Sequence, residues 1–240
     1  MIDLNADLGE GMGDDLAMLE IVTSASIACG GHAGDAHSMR RAVRGALHNG
    51  VRIGAHPGFV DPHHFGRRRL DIPADRLSAQ IVAQVAQLHD IAQAEGAAIT
   101  YLKLHGALAN MAAEDRALAK TLFAAVDAAF PGLSVLALAA SEQEWAARDL
   151  GLDVILEAYA DRAYTADGQL VSRAHRGSVI TDEQLVIDRC LRLAETGEIV
   201  AIDGTIFKSE ARSICLHGDT PGALDLARAV HAALAKTGAL

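Results

Sequence analysis

Four histidines stand in nearly the same local setting, each at the end of a short apolar run with a glycine within two residues. His32 closes Ser26-Ile27-Ala28-Cys29-Gly30-Gly31, His56 closes Val51-Arg52-Ile53-Gly54-Ala55, His105 ends Tyr101-Leu102-Lys103-Leu104, and His217 ends Ile214-Cys215-Leu216. Imidazoles exchange protons near neutral pH and bind metals, so their recurrence at strand ends predicts one shared site. Other groups suited to proton transfer, oxyanion stabilisation or metal binding fall at similar places. Asn5, Asp7 and Glu10 follow the first apolar run, and Lys103 and Asn110 flank His105. Glu157, Asp161 and Arg162 follow a later run, and Asp219 trails His217. Lys103 resists a merely structural explanation, because an ammonium in an apolar strand is costly unless an acid or a cavity receives it. Alternation puts it on the same strand face as His105.

Each residue also has a plainer reading. Asp7 alone could cap the turn Leu8-Gly9-Glu10-Gly11, Asp35 is expected to cap the helix starting Ala36-His37, and Asp219 or Thr220 must cap a later one. A lone buried histidine is more often hydrogen-bonded core than catalyst. These readings would have to hold separately at several ends of one sheet, which favours the joint site. Arg67-Arg68-Arg69, the only basic cluster, reads as a solvated loop rather than an anion site.

The elements that must position these groups are legible from periodicity. Apolar runs near 2–8, 24–29, 51–55, 99–105, 133–139, 153–159 and 213–217, with a short one at 199–202, predict buried parallel strands. Amphipathic stretches near 14–22, 35–49, 75–95, 114–129, 141–150, 181–197 and 221–237 predict helices, as the spacing of Leu77, Ile81, Val85, Leu88 and Ile91 illustrates. Ser141 to Glu144 and Thr181 to Gln184 fit capping boxes, and Thr220-Pro221 sets a cap before a first-turn proline. The segment 203–212 is the least readable, a turn at Asp203-Gly204-Thr205 followed by the strand-like Ile206-Phe207. Alternating strands and helices predict a parallel sheet with helices outside, and seven or eight unbroken units predict closure into one barrel domain over 1–240.

With 240 residues, 50% of them hydrophobic, the chain can bury one large core. No run approaches the ~20 apolar residues that cross a bilayer, and the start Met1-Ile2-Asp3-Leu4-Asn5-Ala6-Asp7 is strand-like rather than a signal peptide. Cys29, Cys190 and Cys215 are dispersed and odd in number, as expected of reduced thiols in a cytoplasmic protein. A formal charge of −10 argues against nucleic-acid binding. There is no GxxxxGK[ST] phosphate loop, no HExxH and no GxSxG. Gly9-Glu10-Gly11-Met12-Gly13 has the wrong spacing for a dinucleotide fingerprint, and its glutamate would repel phosphate. A catalytic metal held by Asp7 and two histidines stays open, since such ligands can come from distant strands.

The same strand ends carry a family pattern. Asp3-Leu4-Asn5-Ala6-Asp7-Leu8-Gly9-Glu10, Ile27-Ala28-Cys29-Gly30-Gly31-His32-Ala33-Gly34-Asp35 and Gly54-Ala55-His56-Pro57-Gly58-Phe59 closely resemble the LamB/YcsF family. So do Gly66-Arg67-Arg68, Lys103-Leu104-His105-Gly106-Ala107-Leu108, Ala160-Asp161-Arg162-Ala163-Tyr164 and the segment from Cys215 to Ala223. Together they span essentially the whole chain in the family's order. Two positions depart from its pattern: Leu104 stands where proline is usual, and Ala109 where tyrosine is usual.

Members of that family are the A components of a prokaryotic 5-oxoprolinase. The resemblance therefore implies an irregular seven-stranded, TIM-like (β/α) barrel, similar to the glycoside hydrolase/deacetylase fold. It also implies ATP-dependent opening of 5-oxo-L-proline to L-glutamate together with B and C subunits. A five-membered lactam is resonance-stabilised and little strained, so ATP could activate its carbonyl oxygen by phosphorylation. The missing phosphate loop argues against ATP binding by this chain alone. On this resemblance Asp7 would be the base for water, Lys103 the oxyanion cation and His105 the proton carrier to nitrogen. Arg162 and His217 would hold the substrate carboxylate, with Asn5, His32, His56 and Asp219 lining the substrate pocket. No metal ligand is assigned, and a divalent metal of unspecified identity is left open at His32 and His56. A stand-alone metal-dependent deacetylase or amidohydrolase, and a non-catalytic component that binds a small amide, are the alternatives.

Overall fold

Polar and apolar residues alternate through Asp3-Leu4-Asn5-Ala6-Asp7-Leu8, and strand β1 (Asp3–Leu8) turns them to opposite faces. Leu4, Ala6 and Leu8 enter the hydrophobic core under the helices, while Asn5 and Asp7 both accept from Lys103 on the opposite side of the sheet. Such contacts exist only across the inside of a closed barrel. The computed structural model, which describes residues 1–216 and 222–240, closes that barrel from seven parallel strands.

After β1 come α1 (Asp15–Leu19), β2 (Ser24–Ala28), α2 (Ala36–Asn49), β3 (Arg52–His56), α3 (Ala74–Ala94) and β4 (Ile99–Leu102). Next are α4 (Gly106–Glu114), α5 (Arg116–Ala129), β5 (Ser134–Leu138), α6 (Glu142–Asp149) and β6 (Val154–Tyr159). The chain ends with α7 (Glu183–Thr196), β7 (Glu198–Val200), β8 (Ile206–Lys208), β9 (Ser213–Leu216) and α8 (Ala223–Lys236). The barrel order is β1-β2-β3-β4-β5-β6-β9, closed by β9 pairing with both β6 and β1. It is irregular at two points. Register shifts between Ile53 and Gly54 where β3 meets β4, and β7 and β8 form a separate antiparallel pair.

The run at 199–202 is therefore no barrel strand; β7 is three residues long and satisfies its backbone against β8. Helix α4 is not foreseen by the periodicity, because Gly106 to Ala113 carries a single polar side chain, Asn110, and so shows no amphipathic period. Asp115 ends α4 and caps α5, accepting from Ala117 and Leu118 N–H. Asp35 caps α2 as expected, in a box with Ser38. Two other caps differ. Asp182, not Thr181, caps α7 by accepting from Leu185 N–H. The Ser141 hydroxyl donates to Leu138 O, and Glu144 accepts instead from Ala140 N–H. Thr220-Pro221 lies outside the described residues.

The bottom of the barrel is polar. Asp3 accepts from the Thr23 and Ser24 hydroxyls at 2.6 Å each and from Ser213 at 2.5 Å, with an Arg52 nitrogen at 3.0 Å. Burial alone would raise this carboxyl, but those donors outweigh it and hold its pKa below the usual value. A depressed folded-state pKa gives stability that is present above the unfolded value of about 3.9 and lost as pH falls through the folded one. Asp3→Asn should thus lower unfolding free energy by about 1–3 kcal/mol at neutral pH. The gap to wild type should narrow below about pH 4. Denaturant titrations at both pH values check this, and an unchanged gap would sink it.

Candidate functional site

Beyond β4 the chain keeps pairing with the β3 side: Lys103 N–H donates to Ala55 O and His105 N–H to Pro57 O, both at 2.9 Å. Lys103 and His105 thus extend the strand at alternate positions and share its inner face. The Lys103 ammonium, 2% exposed, reaches across the barrel. It donates to Asp7 Oδ1 at 2.9 Å, Asn5 Oδ1 at 3.1 Å and Cys215 Sγ at 3.3 Å. Glu157 Oε1 stands 2.7 Å from Nζ but accepts no aligned hydrogen bond, so that contact is purely ionic. Burial works against both charges of the Asp7–Lys103 pair. Attraction wins: His56 and Lys103 hold Asp7 well below the usual carboxylate range, and Asp7 leads in holding Lys103 well above its own.

Beside this pair lies a histidine cluster. His56 Nδ1 donates to Lys103 O and His105 Nε2 to Phe65 O, both at 2.9 Å. A carbonyl only accepts, so these outer nitrogens carry protons and the inner ones, His56 Nε2 and His105 Nδ1, meet at 3.0 Å. Glu10 Oε1 lies 2.9 Å from His32 Nε2, 3.5 Å from His105 Nδ1 and 3.9 Å from His56 Nε2. The His32 and His105 rings stack at 3.5 Å. Burial pushes His32 and His105 down to about 3, with His56 adding to it; Asp7 overcomes burial at His56 and raises it. Burial, then Asp7, raises Glu10. Among the described residues, the donor set that could hold a metal is Glu10 with three histidines. Asp7, left open as a ligand from the sequence, has Oδ1 on Lys103 and Oδ2 3.4 Å from His56.

The backbone around the cluster is tightly specified. Phe65, whose carbonyl anchors His105, adopts a left-handed φ of 55°, rare for a non-glycine residue. Gly106 has φ +59°, and a Cβ there would stand 2.7 Å from Gly66 O, the acceptor of Ala107 N–H. Only glycine fits at this contact.

A cavity of about 670 Å³ opens over the site, within the usual range for small-molecule pockets. Asp7, Glu10, His56 and His105 are among the residues that line it. Tyr159 lines it as well, and nothing in its sequence setting singles it out; Glu10 and Glu157 read from sequence only as strand-end acids without a role. Arg67 and Arg69, exposed on their loop as expected, also border it, as do Arg162 and Arg173. Arg162 is tied down, donating from Nε to Ser178 O at 3.2 Å and from a terminal nitrogen to Val171 O at 2.6 Å. Leu104 and Ala109, the two departures from the family pattern, line the cavity too, as does Asn110. Lys103 lies behind it, on a small side pocket shared with Tyr159 and Asn110, while Asn5 and His32 are buried. His217 and Asp219 lie outside the described residues. Cys29, Cys190 and Cys215 are buried free thiols. No helix among the described residues is long and apolar enough to cross a membrane.

A family model described as LamB/YcsF matches residues 2–240. A Streptomyces coelicolor protein, named as the A component of 5-oxoprolinase, is 48% identical over 243 residues, covering 99% of this chain and 97% of its own. The crystal structure of a lactam utilization protein from Thermus thermophilus superposes with a TM-score of 0.93 at 40% identity, covering 99% of this chain and 97% of that one. A family 4 carbohydrate esterase from Streptomyces lividans, at 14% identity, 99% and 88% coverage and a TM-score of 0.50, shares the barrel fold.

Proposed function

Because the chain belongs to the LamB/YcsF family, we propose that it is the A component of a prokaryotic 5-oxoprolinase. In this reading residues 1–240 form a single barrel domain that works in the cytoplasm with B and C subunits. The complex opens 5-oxo-L-proline to L-glutamate and hydrolyses ATP. The names of the Streptomyces coelicolor and Thermus thermophilus relatives support a role in a multi-component enzyme whose substrate is a lactam. The observation that carries the chemistry is Asp7, a carboxylate kept ionised by a buried lysine and presented on the wall of a cavity.

Ring opening adds water to the lactam carbonyl, breaks the C–N bond and leaves a proton on nitrogen. Asp7 takes the proton from water and returns it to the departing amine. The roles of two other residues shift from the sequence expectation. The Lys103 ammonium is surrounded by Asp7, Asn5, Glu157 and Cys215 and stands behind the cavity, so it positions Asp7 rather than meeting an oxyanion. His105 has Nε2 on Phe65 O and Nδ1 toward His56 and Glu10, so it belongs to the cluster rather than carrying the proton to nitrogen. Arg162, with Arg67 and Arg173 lining the same cavity, supplies positive charge for the substrate carboxylate.

Reconstitution tests the reading. The chain with its B and C subunits should release ADP in a 5-oxoproline-dependent manner, and omission of the chain should abolish ring opening. ATP-independent amide cleavage by the chain alone would replace this reading with the stand-alone hydrolase.

A further inference from the structure

We propose that Glu10, His32, His56 and His105 bind one divalent transition-metal ion of the zinc class. The inference goes beyond the reaction proposed above and does not depend on which amide the cavity takes. Four side chains from the ends of four adjacent barrel strands each offer one donor atom, and these atoms lie within 4.8 Å of one another. With zinc–nitrogen and zinc–oxygen bonds of about 2.0–2.2 Å, a tetrahedral site has ligand–ligand separations of about 3.3–3.6 Å. The separations among Glu10 Oε1, His32 Nε2, His56 Nε2 and His105 Nδ1 include 2.9, 3.0, 3.5 and 3.9 Å, which bracket that range.

Ring orientation points the same way. The outer nitrogens of His56 and His105 donate to Lys103 O and Phe65 O, the arrangement that fixes the tautomer of a metal-bound imidazole. Their inner nitrogens therefore present lone pairs to each other at 3.0 Å, an arrangement that calls for a cation between them. A proton bridges one such pair. A set of three imidazoles and a carboxylate converging on one point suits a metal ion, and nitrogen-rich donors select zinc-like ions over magnesium or calcium. Glu10, His56 and His105 also line the large cavity, so a bound ion has an open side toward it. Such an ion, when bound, would polarise a carbonyl or water held in the cavity.

The test uses the full chain without substrate, nucleotide or partner subunits. After equilibration with Zn²⁺ and removal of free metal, elemental analysis should find one ion per chain. Competition with a chelating indicator should show Glu10→Gln and His32→Asn weakening Zn²⁺ binding by about 100-fold or more, at the upper end of what even indirect ligand partners cost. If a variant fails to fold, Co²⁺ added to the wild-type chain decides. Intense visible ligand-field bands of a low-coordinate, nitrogen-ligated ion support the site, and the weak spectrum of hydrated Co²⁺ overturns it. Wild type retaining no Zn²⁺, or binding it no more tightly than folded Glu10→Gln, also overturns it and leaves a shared proton as the bridge. Because metal content is read without turnover, a failed reconstitution and a failed metal titration remain separate results.

Discussion

Replacing Lys103 by methionine is expected to lower the free energy of unfolding by about 3–5 kcal/mol, the cost of breaking a buried ion pair from one side. Two carboxylates share the ammonium, and Glu157 and Asp7 have side-chain exposures of only 2% and 14%. Methionine keeps much of the volume and removes the charge, leaving both acids and the Asn5 carbonyl facing an apolar chain. The surface pairs of this protein offer a contrast. Lys120–Asp149 and Arg116–Glu142 have side chains about two-fifths exposed, and breaking either should cost about 0–1 kcal/mol. Urea unfolding at pH 7 separates the two cases. Pairing Lys103→Met with Glu157→Gln should recover part of the loss, because the second change removes one uncompensated carboxylate. A loss below about 1 kcal/mol for Lys103→Met, the range of an exposed pair, would show that the ammonium does not hold the barrel centre together.

That lysine also shows how far the sequence can be read. A cation in an apolar strand demands an acidic partner, and the demand is legible. Which acids answer it is not, because Asp7 and Glu157 belong to β1 and β6 and meet Lys103 only across a closed barrel. The seven barrel strands are readable as apolar runs, since a parallel strand is buried on both faces. The antiparallel pairing of β7 with β8 and the helix α4 are not. The runs at 199–202 and Ile206-Phe207 read as strand-like, but three-residue strands do not reveal that they pair with each other outside the barrel. Helix α4 has one polar side chain between Gly106 and Ala113, too few for an amphipathic period. The shared histidine site is visible as a pattern for His32, His56 and His105, but the identity of its carboxylate is not. Asp7 in β1 and Glu10 two residues past its end both come near the imidazoles, and sequence spacing cannot show that Asp7 is also held by Lys103 while Glu10 reaches His32. Arg67 and Arg69 are legible as solvated, and they are exposed, but nothing local reveals that they also border the cavity.

Asp7→Asn should leave a folded chain whose complex opens 5-oxoproline about 10²–10⁴-fold more slowly, the usual contribution of one positioned proton-transfer group. The amide oxygen of asparagine can still accept from Lys103 Nζ, so the barrel centre keeps its packing while the wall of the cavity loses its base. The loss should fall on kcat with little change in KM, since a proton transfer acts in the transition state and contributes little to ground-state binding. Zinc content is the second readout. Asp7 stands outside the Glu10–histidine donor set, so a slow Asp7→Asn complex that retains its ion would separate loss of the base from loss of a metal site. Unchanged turnover would instead favour a chain that binds a small amide and passes it on, with the bond-breaking groups located in its partners. A raised KM at unchanged kcat would make Asp7 a binding group, and the buried Lys103 pair would then serve to fix a substrate contact rather than a base.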